Sequence, residues 1–348
     1  MQGELAKGRK NYAYMALLAL LVSLFVLNIS LGSVNIPFTV VLKWMVSRQI
    51  DNEIYQNILL KSRLPQSITA VLAGAGLAAG GLQMQTLFRN PLAGPSILGI
   101  SSGAGLGVAI VVLLLGALQG ISLSGLGWYG SLTITAAAFI GAFWVLLVIL
   151  FLAQKLKNNA MLLIVGIMVG YASSAIVGLL QFISSKEDVQ SFVLWGLGSF
   201  NNLSWDKHAI FIPLVLTGLL GSFFLIKPLN ILLLGENYAA NLGLNIKRSR
   251  FSILLVTGLL TASITAFCGP IAFLGLAVPH LSKGIFKTAD HSVLIPAVIL
   301  FGGALALLCH LIARLPGFDG TLPINAVTSL IGAPIVIYVI LKRRSLTQ

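Results

Sequence analysis

The sequence predicts an all-α, polytopic membrane protein with about ten transmembrane helices and both termini in the cytoplasm. Three observations carry that prediction. Of 348 residues, 57% are hydrophobic and only 9% charged, where a soluble domain carries about 25% charged residues. The apolar residues gather into ten runs, most of them near the length of about 20 residues that a spanning helix needs. The basic residues stand at the ends of those runs, which is the pattern of loops beside a lipid bilayer. The net charge of +13 is therefore read as membrane topology, and no nucleic-acid partner is expected.

The runs can be taken in order. The first, 12–31, follows Lys7, Arg9 and Lys10 and imitates a signal peptide. It is too long for the apolar region of one and no A-x-A site follows, so it is expected to stay as the first helix. The others are 64–86, 95–116, 129–153, 160–184, 208–226, 251–268, 270–282, 293–313 and 325–341. The eighth is short and begins at Gly269-Pro270, so it is not expected to cross the full bilayer. An even number of crossings puts both termini on one side. With that side cytoplasmic, fifteen basic residues lie inside: Lys7, Arg9, Lys10, Arg89, Lys155, Lys157, Lys227, Lys247, Arg248, Arg250, Lys283, Lys287, Lys342, Arg343 and Arg344. Seven lie outside: Lys43, Arg48, Lys61, Arg63, Lys186, Lys207 and Arg314. The excess sets the orientation.

Two outer segments exceed a turn. Within 32–63, "PFTVVLKWMV" reads as a short interfacial helix, and 185–207 reads as another, with Trp195 and Trp205 at headgroup level. "GPSILG" at 94–99 echoes "GPIAFLG" at 269–275. Each follows an apolar helix, one entered from inside and one from outside, which suits an inverted repeat. Gly99, Gly103 and Gly107 recur every four residues, as do Gly166 and Gly170, a spacing that lets helices approach closely.

Enzymatic chemistry finds little support. "GISSG" at 99–103 has the form of a nucleophile elbow, but that motif needs a strand, a strained turn and a helix, and Ser101 sits in an apolar run. No G-x-x-x-x-G-K-[ST] occurs, so ATP, if used, must be bound by a partner. Cys268 and Cys309 lie inside apolar runs, without metal or redox spacing. His208, His280, His291 and His310 form no ligand spacing; His280 suits a helix C-terminus, and His310 is an ionisable group within a spanning run. The ten runs contain no Asp or Glu, which counts against an ion-coupled secondary transporter. The outer Arg63 and Arg314 depart from the inside bias. They either snorkel to headgroups or grip carboxylates of an acidic partner.

Two inner stretches stand out. In "QTLFRNPLAGPSILG", 85–99, Pro91 and Pro95 interrupt the helix and Asn90 can satisfy freed backbone groups, giving a tight ordered turn. In "GENYAANLGLNIKRSR", 235–250, Leu234, Tyr238 and Leu242 share one helical face. Glu236 suits the first turn, Gly243 the C′ position, and "NIKRSR" a second short helix capped by Asn245. So small a helical pair needs a surface to pack on.

These residues together resemble the FecCD-type permeases of type II ABC importers, over about residues 12–342. Arg63-Leu64-Pro65 looks like the family's R-L-P. Gly81, Gln85, Asn90-Pro91-Leu92-Ala93, Pro95, Gly99 and Gly103-Ala104 match its main signature in order. Trp195, Gly198 and Ser199 are similar to W-x-x-G-S. Leu234-Gly235-Glu236, Ala239 and Leu242-Gly243 match L-G-E-x-x-A-x-x-L-G. Gly269, Ile271, Phe273, Gly275-Leu276 and Pro279-His280 match G-x-I-x-F-x-G-L-x-x-P-H, and Gly332-Ala333-Pro334 matches G-A-P. The resemblance implies one permease domain, 1–348, with cytoplasmic coupling helices at 234–250, working as a homodimer in the bacterial inner membrane. It implies two ATP-binding cassette ATPases docked on 235–243, which bind the ATP and Mg while this chain holds no cofactor, metal or catalytic site. It implies a substrate-binding protein docked outside on Arg63 and Arg314, alternating access, and an iron–siderophore, haem or vitamin B12 substrate. The role carried to Glu236 and Gly243 is coupling, so Glu236→Arg is expected to weaken ATPase association. The chain departs from the pattern near the outer mouth. Gln66 stands where a second arginine is usual, Cys309-His310 precedes Arg314, and Thr321-Leu322-Pro323-Ile324-Asn325 replaces E-L-P-x-G.

Overall fold

The computed structural model describes residues 2–32, 34, 36–47, 52–114, 127–156, 158–314 and 321–344. Arg48 and Lys157, counted in the charge balance, lie outside the described residues, as do 115 and 116 at the end of the third run. The described residues form helices and no strand. In chain order these are α1 (Gln2–Ser30), α2 (Phe38–Ser47), α3 (Glu53–Leu87), α4 (Ile100–Leu114), α5 (Gly127–Lys155), α6 (Asn159–Ile183), α7 (Lys186–Gly196) and α8 (Trp205–Phe224). There follow α9 (Ile226–Leu232), α10 (Glu236–Asn241), α11 (Ile246–Cys268), α12 (Leu274–Phe286), α13 (His291–Ala313) and α14 (Ile324–Arg344).

Seven of these are long and apolar enough to cross a membrane: α1, α3, α5, α6, α8, α11 and α13. The shorter apolar α4 and α14 and the 13-residue α12 complete the ten expected segments. At 1.5 Å per residue α12 spans about 20 Å, short of the roughly 30 Å hydrocarbon core. The expected interfacial helices are α2 and α7.

The structure moves two boundaries. The second run is longer than expected and begins at Glu53, eleven residues before Leu64. Pro65 has no N–H to give the Lys61 carbonyl. The chain widens into a π turn over Leu59–Arg63, in which the Leu64 N–H bonds to the Leu59 carbonyl, and the helix continues through the proline instead of starting there. The "NIKRSR" segment is not a second short helix either. Asn245 caps it, its side chain accepting from the Arg248 N–H at 3.0 Å, but the apolar residues beyond carry the same helix on to Cys268.

The core is centred on α3, which packs against α8, α11, α12 and α13. Glycine makes this possible. A Cβ on Gly74 would strike the Gly302 carbonyl of α13, and one on Gly81 the Gly275 carbonyl of α12. Helix backbones therefore touch where side chains would hold them apart. Gly103 and Gly107 of α4 meet Gly141 and Ala137 of α5 in the same way, and Gly99 lies against Gly166 and Gly170 of α6. By contrast α6 is the least covered of the seven long spans, with 17% of its most apolar window buried against 83% for α3.

The packing repeats. Contacts of α3 with α12 and α13 correspond to those of α11 with α4 and α5; α4 with α5 and α6 corresponds to α12 with α13 and α14. The breaks at Gly94-Pro95 and Gly269-Pro270 occupy equivalent places, after α3 and after α11. Hydrogen bonds hold like ends of the helices together. Lys207 Nζ at the start of α8 donates to Ser131 Oγ at the start of α5 (2.5 Å), which agrees with strictly alternating crossings.

Candidate functional site

The inner end of the bundle is built on α10. Gly235, with φ +104°, turns the chain into it, and Arg89, itself left-handed at φ 47°, lies over that glycine. Gly243, φ +83°, ends it. The Leu244 N–H reaches the Ala239 carbonyl (3.0 Å) and the Gly243 N–H the Ala240 carbonyl (2.9 Å), the paired bonds of a Schellman cap. Ala239 is fully buried and seats the helix on the protein. Leu234, Tyr238 and Leu242 face outward, 59%, 60% and 56% exposed. Beside them a cleft of about 620 Å³ opens, lined by Phe88, Arg89, Asn158, Glu236, Tyr238 and Asn241 among others.

Glu236 is turned the other way. Its Oε1 accepts from Asn159 Nδ2 (2.6 Å) and forms an ion pair with Arg250 Nη2 (3.2 Å). Two thirds of its side chain is covered, and its carboxylate is engaged within the chain. Sequence reasoning missed Asn159 and Arg250. The available signals were a cap-like Asn158-Asn159 pair before one apolar run and a basic residue immediately before another.

The signature loop joins a second motif. Gln85 Nε2 donates to the Leu276 carbonyl (3.3 Å), and Lys283 Nζ donates to Gln85 Oε1 (3.0 Å). Asn90 Oδ1 accepts from the Leu92 N–H (2.9 Å), closing the turn over Pro91, and the turn leads through the buried Ala93 to Pro95. His280 Nε2 lies 2.9 Å from the Pro91 carbonyl, so that nitrogen carries the proton. Pro95 packs on Gly275, with Pro279 buried in the same helix. Residues 85–95 and 275–283, far apart in sequence, thus form one joint between α3 and α12.

At the outer end Trp195, Gly198 and Ser199 meet the break after α11. Gly198 and Gly269 are both left-handed, at φ +70° and +74°, and lie against each other. The Ser199 N–H donates to the Cys268 carbonyl (2.7 Å). Asn325 adds a tie, its Oδ1 accepting from the Ala272 N–H (3.0 Å).

Of the outer arginines, Arg63 is the more deeply placed. Arg63 is 1% exposed, since the π turn directs it into the protein. Its Nη1 donates to the Ile29 (2.8 Å) and Ser30 (2.6 Å) carbonyls at the end of α1, and its Nη2 to Val34. Its guanidinium is engaged by these carbonyls within the chain. Arg314 is half-buried beside it, and Gly32 lies under both: a Cβ there would stand 2.7 Å from Arg314 Nη2 and 3.0 Å from Arg63 Nη2. His310 is buried as well. The Asn28 amide donates to the Leu24 (2.9 Å) and Leu307 (3.0 Å) carbonyls, which turns its oxygen to His310 Nδ1 at 2.9 Å. Nε2 lies 3.3 Å from the Asn201 side-chain oxygen. His310 thus packs between two amides inside the bundle. Ser101 pairs with Thr265 (3.2 Å) inside a helix–helix contact, which removes the hydrolase context.

Comparison with known proteins decides the family. The model of the FecCD transport family matches residues 20–342. The chain belongs to the FecCD transport family. Its relatives include the hemin transport system permease protein HmuU of Yersinia pestis, 34% identical over 94% of this chain and 95% of that one. They also include the vitamin B12 import system permease protein BtuC of Salmonella typhi, 34% identical over 80% and 82%, and that of Photorhabdus laumondii, 32% identical over 97% and 95%. A solved structure described as an inward-facing conformation of a metal-chelate type ABC transporter superposes with a TM-score of 0.81 at 31% identity, covering 94% of this chain and 98% of that one. This FecCD chain is thus an ABC transporter permease and a multi-pass inner-membrane protein.

Proposed function

We propose that this permease is the single-domain translocation subunit of an ATP-driven importer, taking a metal chelate or corrinoid from an extracytoplasmic binding protein by alternating access. An iron–siderophore complex is the first candidate, with haem and cobalamin beside it. Two copies enclose the pathway, and two ATP-binding cassette subunits hold ATP and Mg. The observation that carries the reading is the outward face of α10. Leu234, Tyr238 and Leu242 present three large apolar side chains on the basic, cytoplasmic side of a FecCD chain without a phosphate-binding loop. Apolar and aromatic anchors on an outward helical face suit a protein partner. On this reading the segment 234–250 is where the ATPase acts, and Leu242 and Gly243 set the angle at which α10 meets it.

The test is reconstitution of the chain with its ATP-binding cassette ATPase and binding protein in liposomes. ATP-dependent uptake of a ferric siderophore, haem or cyanocobalamin supports the reading. Uptake that continues without any ATPase overturns it and favours an ion-driven transporter.

A further inference from the structure

Asn159, Glu236 and Arg250 are separated by 77 and 14 residues in sequence, yet they meet at one carboxylate oxygen. Asn159 is the first residue of α6. Its amide nitrogen divides its two hydrogens between Glu236 Oε1 (2.6 Å) and the Leu87 carbonyl at the end of α3 (2.8 Å). Both partners can only accept, so the amide has one orientation. Arg250 lies near the start of α11 and is 3% exposed. Its Nη2 pairs with Glu236 (3.2 Å) and its Nη1 donates to the Leu156 carbonyl just past α5 (2.7 Å). Through these bonds α10 is tied to the beginnings of α6 and α11 and to the ends of α3 and α5.

Exposed ion pairs contribute little, but removing one partner of a buried charge leaves the other uncompensated. Arg250 is the buried member, so the pair resists opening. The tied helices are not equally free. Of the seven long spans α6 is the least covered, at 17% of its window, while α11 is 72% covered and α3 83%. With α5 at 39%, a displacement of α10 carried by this knot meets three better-covered helices and one loose one.

We propose that Glu236 is a positioning residue, not a contact for the partner: with Asn159 and Arg250 it forms a clip that makes α6 follow α10. The inference rests on the reading of α10 as the site where an ATPase acts. It separates two jobs on one short helix. The face of Leu234, Tyr238 and Leu242 holds the partner, and the buried side of the same helix passes the movement on. Association and transmission can then be lost independently.

The experiment compares wild type, E236A, E236Q, N159A and E236A/N159A, each assembled with the ATPase and binding protein in liposomes. ATPase affinity, ATP hydrolysis, and uptake of ferric siderophore, haem and cyanocobalamin per ATP are measured. A spin-label pair at M168C on α6 and L308C on α13 reports helix movement on adding ATP and Mg. The single variants are expected to bind the ATPase within about twofold of wild type and to hydrolyse ATP, but to transport at least about tenfold less per ATP, the size of an ordinary coupling loss. The ATP-induced change in spin-label distance should vanish with it. The double variant should be no worse than E236A, because both residues serve one connection. E236Q keeps an oxygen for Asn159 and should fall between. The clip is overturned if uptake per ATP and the distance change persist in E236A and N159A, or if affinity for the ATPase falls in step with uptake. Should E236A fail to fold, E236Q and N159A carry the same comparison. Failure of wild type to assemble with the ATPase overturns the functional reading and the clip with it, whereas failure confined to the variants' predicted uncoupling overturns the clip alone.

Discussion

Polar residues hold this protein to its geometry through backbone groups that helix ends leave over. The exposed Asp290 is one case. It caps α13, accepting from the Ser292 hydroxyl (2.7 Å) and N–H (2.9 Å) and from Asn230 Nδ2 (2.7 Å). These bonds, the Ser292 ones first, hold its carboxyl below the ordinary value of 3.8. A lowered carboxyl stabilises above its unfolded value, and the contribution is lost as pH falls through the folded one. Asp290→Ala is expected to cost about 1 kcal/mol at neutral pH, as cap removal does. In thermal unfolding the gap between variant and wild type should close below about pH 4, where the unfolded carboxyl begins to hold its proton. A gap that stays constant into acid would show that the charge is not what caps the helix. At this scale the sequence was partly legible. Gly243 could be read as a helix stop because only a left-handed residue fits there, and Asn245 as a cap because its side chain acts on its own neighbours. Arg63 and His310 could not, because their partners at Ile29, Ser30, Asn28 and Asn201 come from distant segments.

At the scale of elements, the spans themselves were legible from length and polarity alone, since the bilayer demands both. What escaped was the continuation of α3 through Pro65 and of α11 through "NIKRSR". In each case local signals marked a boundary, and the helix ran on because an apolar environment leaves backbone groups no partner but their own helix. Glycine spacing was legible as close packing but not as to which helices meet. The structure pairs Gly81 with Gly275 and leaves Gly284, in the same helix as Gly275, with nothing near its missing Cβ. The two sites should respond with opposite signs. Gly81→Ala forces α3 and α12 apart and is expected to cost about 1–3 kcal/mol, as overpacking does. Gly284→Ala should be neutral or stabilise by up to about 1 kcal/mol through helix propensity. Thermal melts of the two purified variants in detergent would check this. Equal shifts would mean that helix propensity, not contact, governs both.

For the molecule as a whole, orientation came from the fifteen-to-seven distribution of basic residues, and helix ends that share a side in that scheme are joined in space. The partner's face was legible as a three-residue stripe. The direction of Glu236 was not, because Arg250 and Asn159 lie on other helices. If the stripe is the seat of an ATPase, Tyr238→Glu with Leu242→Glu should reduce its affinity about 30-fold, the equivalent of two modest anchors. The melting temperature of the isolated chain should hardly move, because both side chains already face outward. Co-purification and calorimetric titration would read the first expectation and a thermal shift the second. A chain that unfolds on this change would place the stripe in its own core.

The knot at Glu236 also orders events in time. Chains are synthesised from the N-terminus, so Leu87, Leu156, Asn159 and Glu236 all exist before Arg250 does. Until that arginine leaves the ribosome, Glu236 and the Leu156 carbonyl lack their shared donor, and α10 is too short to hold a shape alone. The cytoplasmic surface therefore matures late, with the entry of α11. A nascent chain stopped before Arg250 would carry α10 without its tie to α5 and α11.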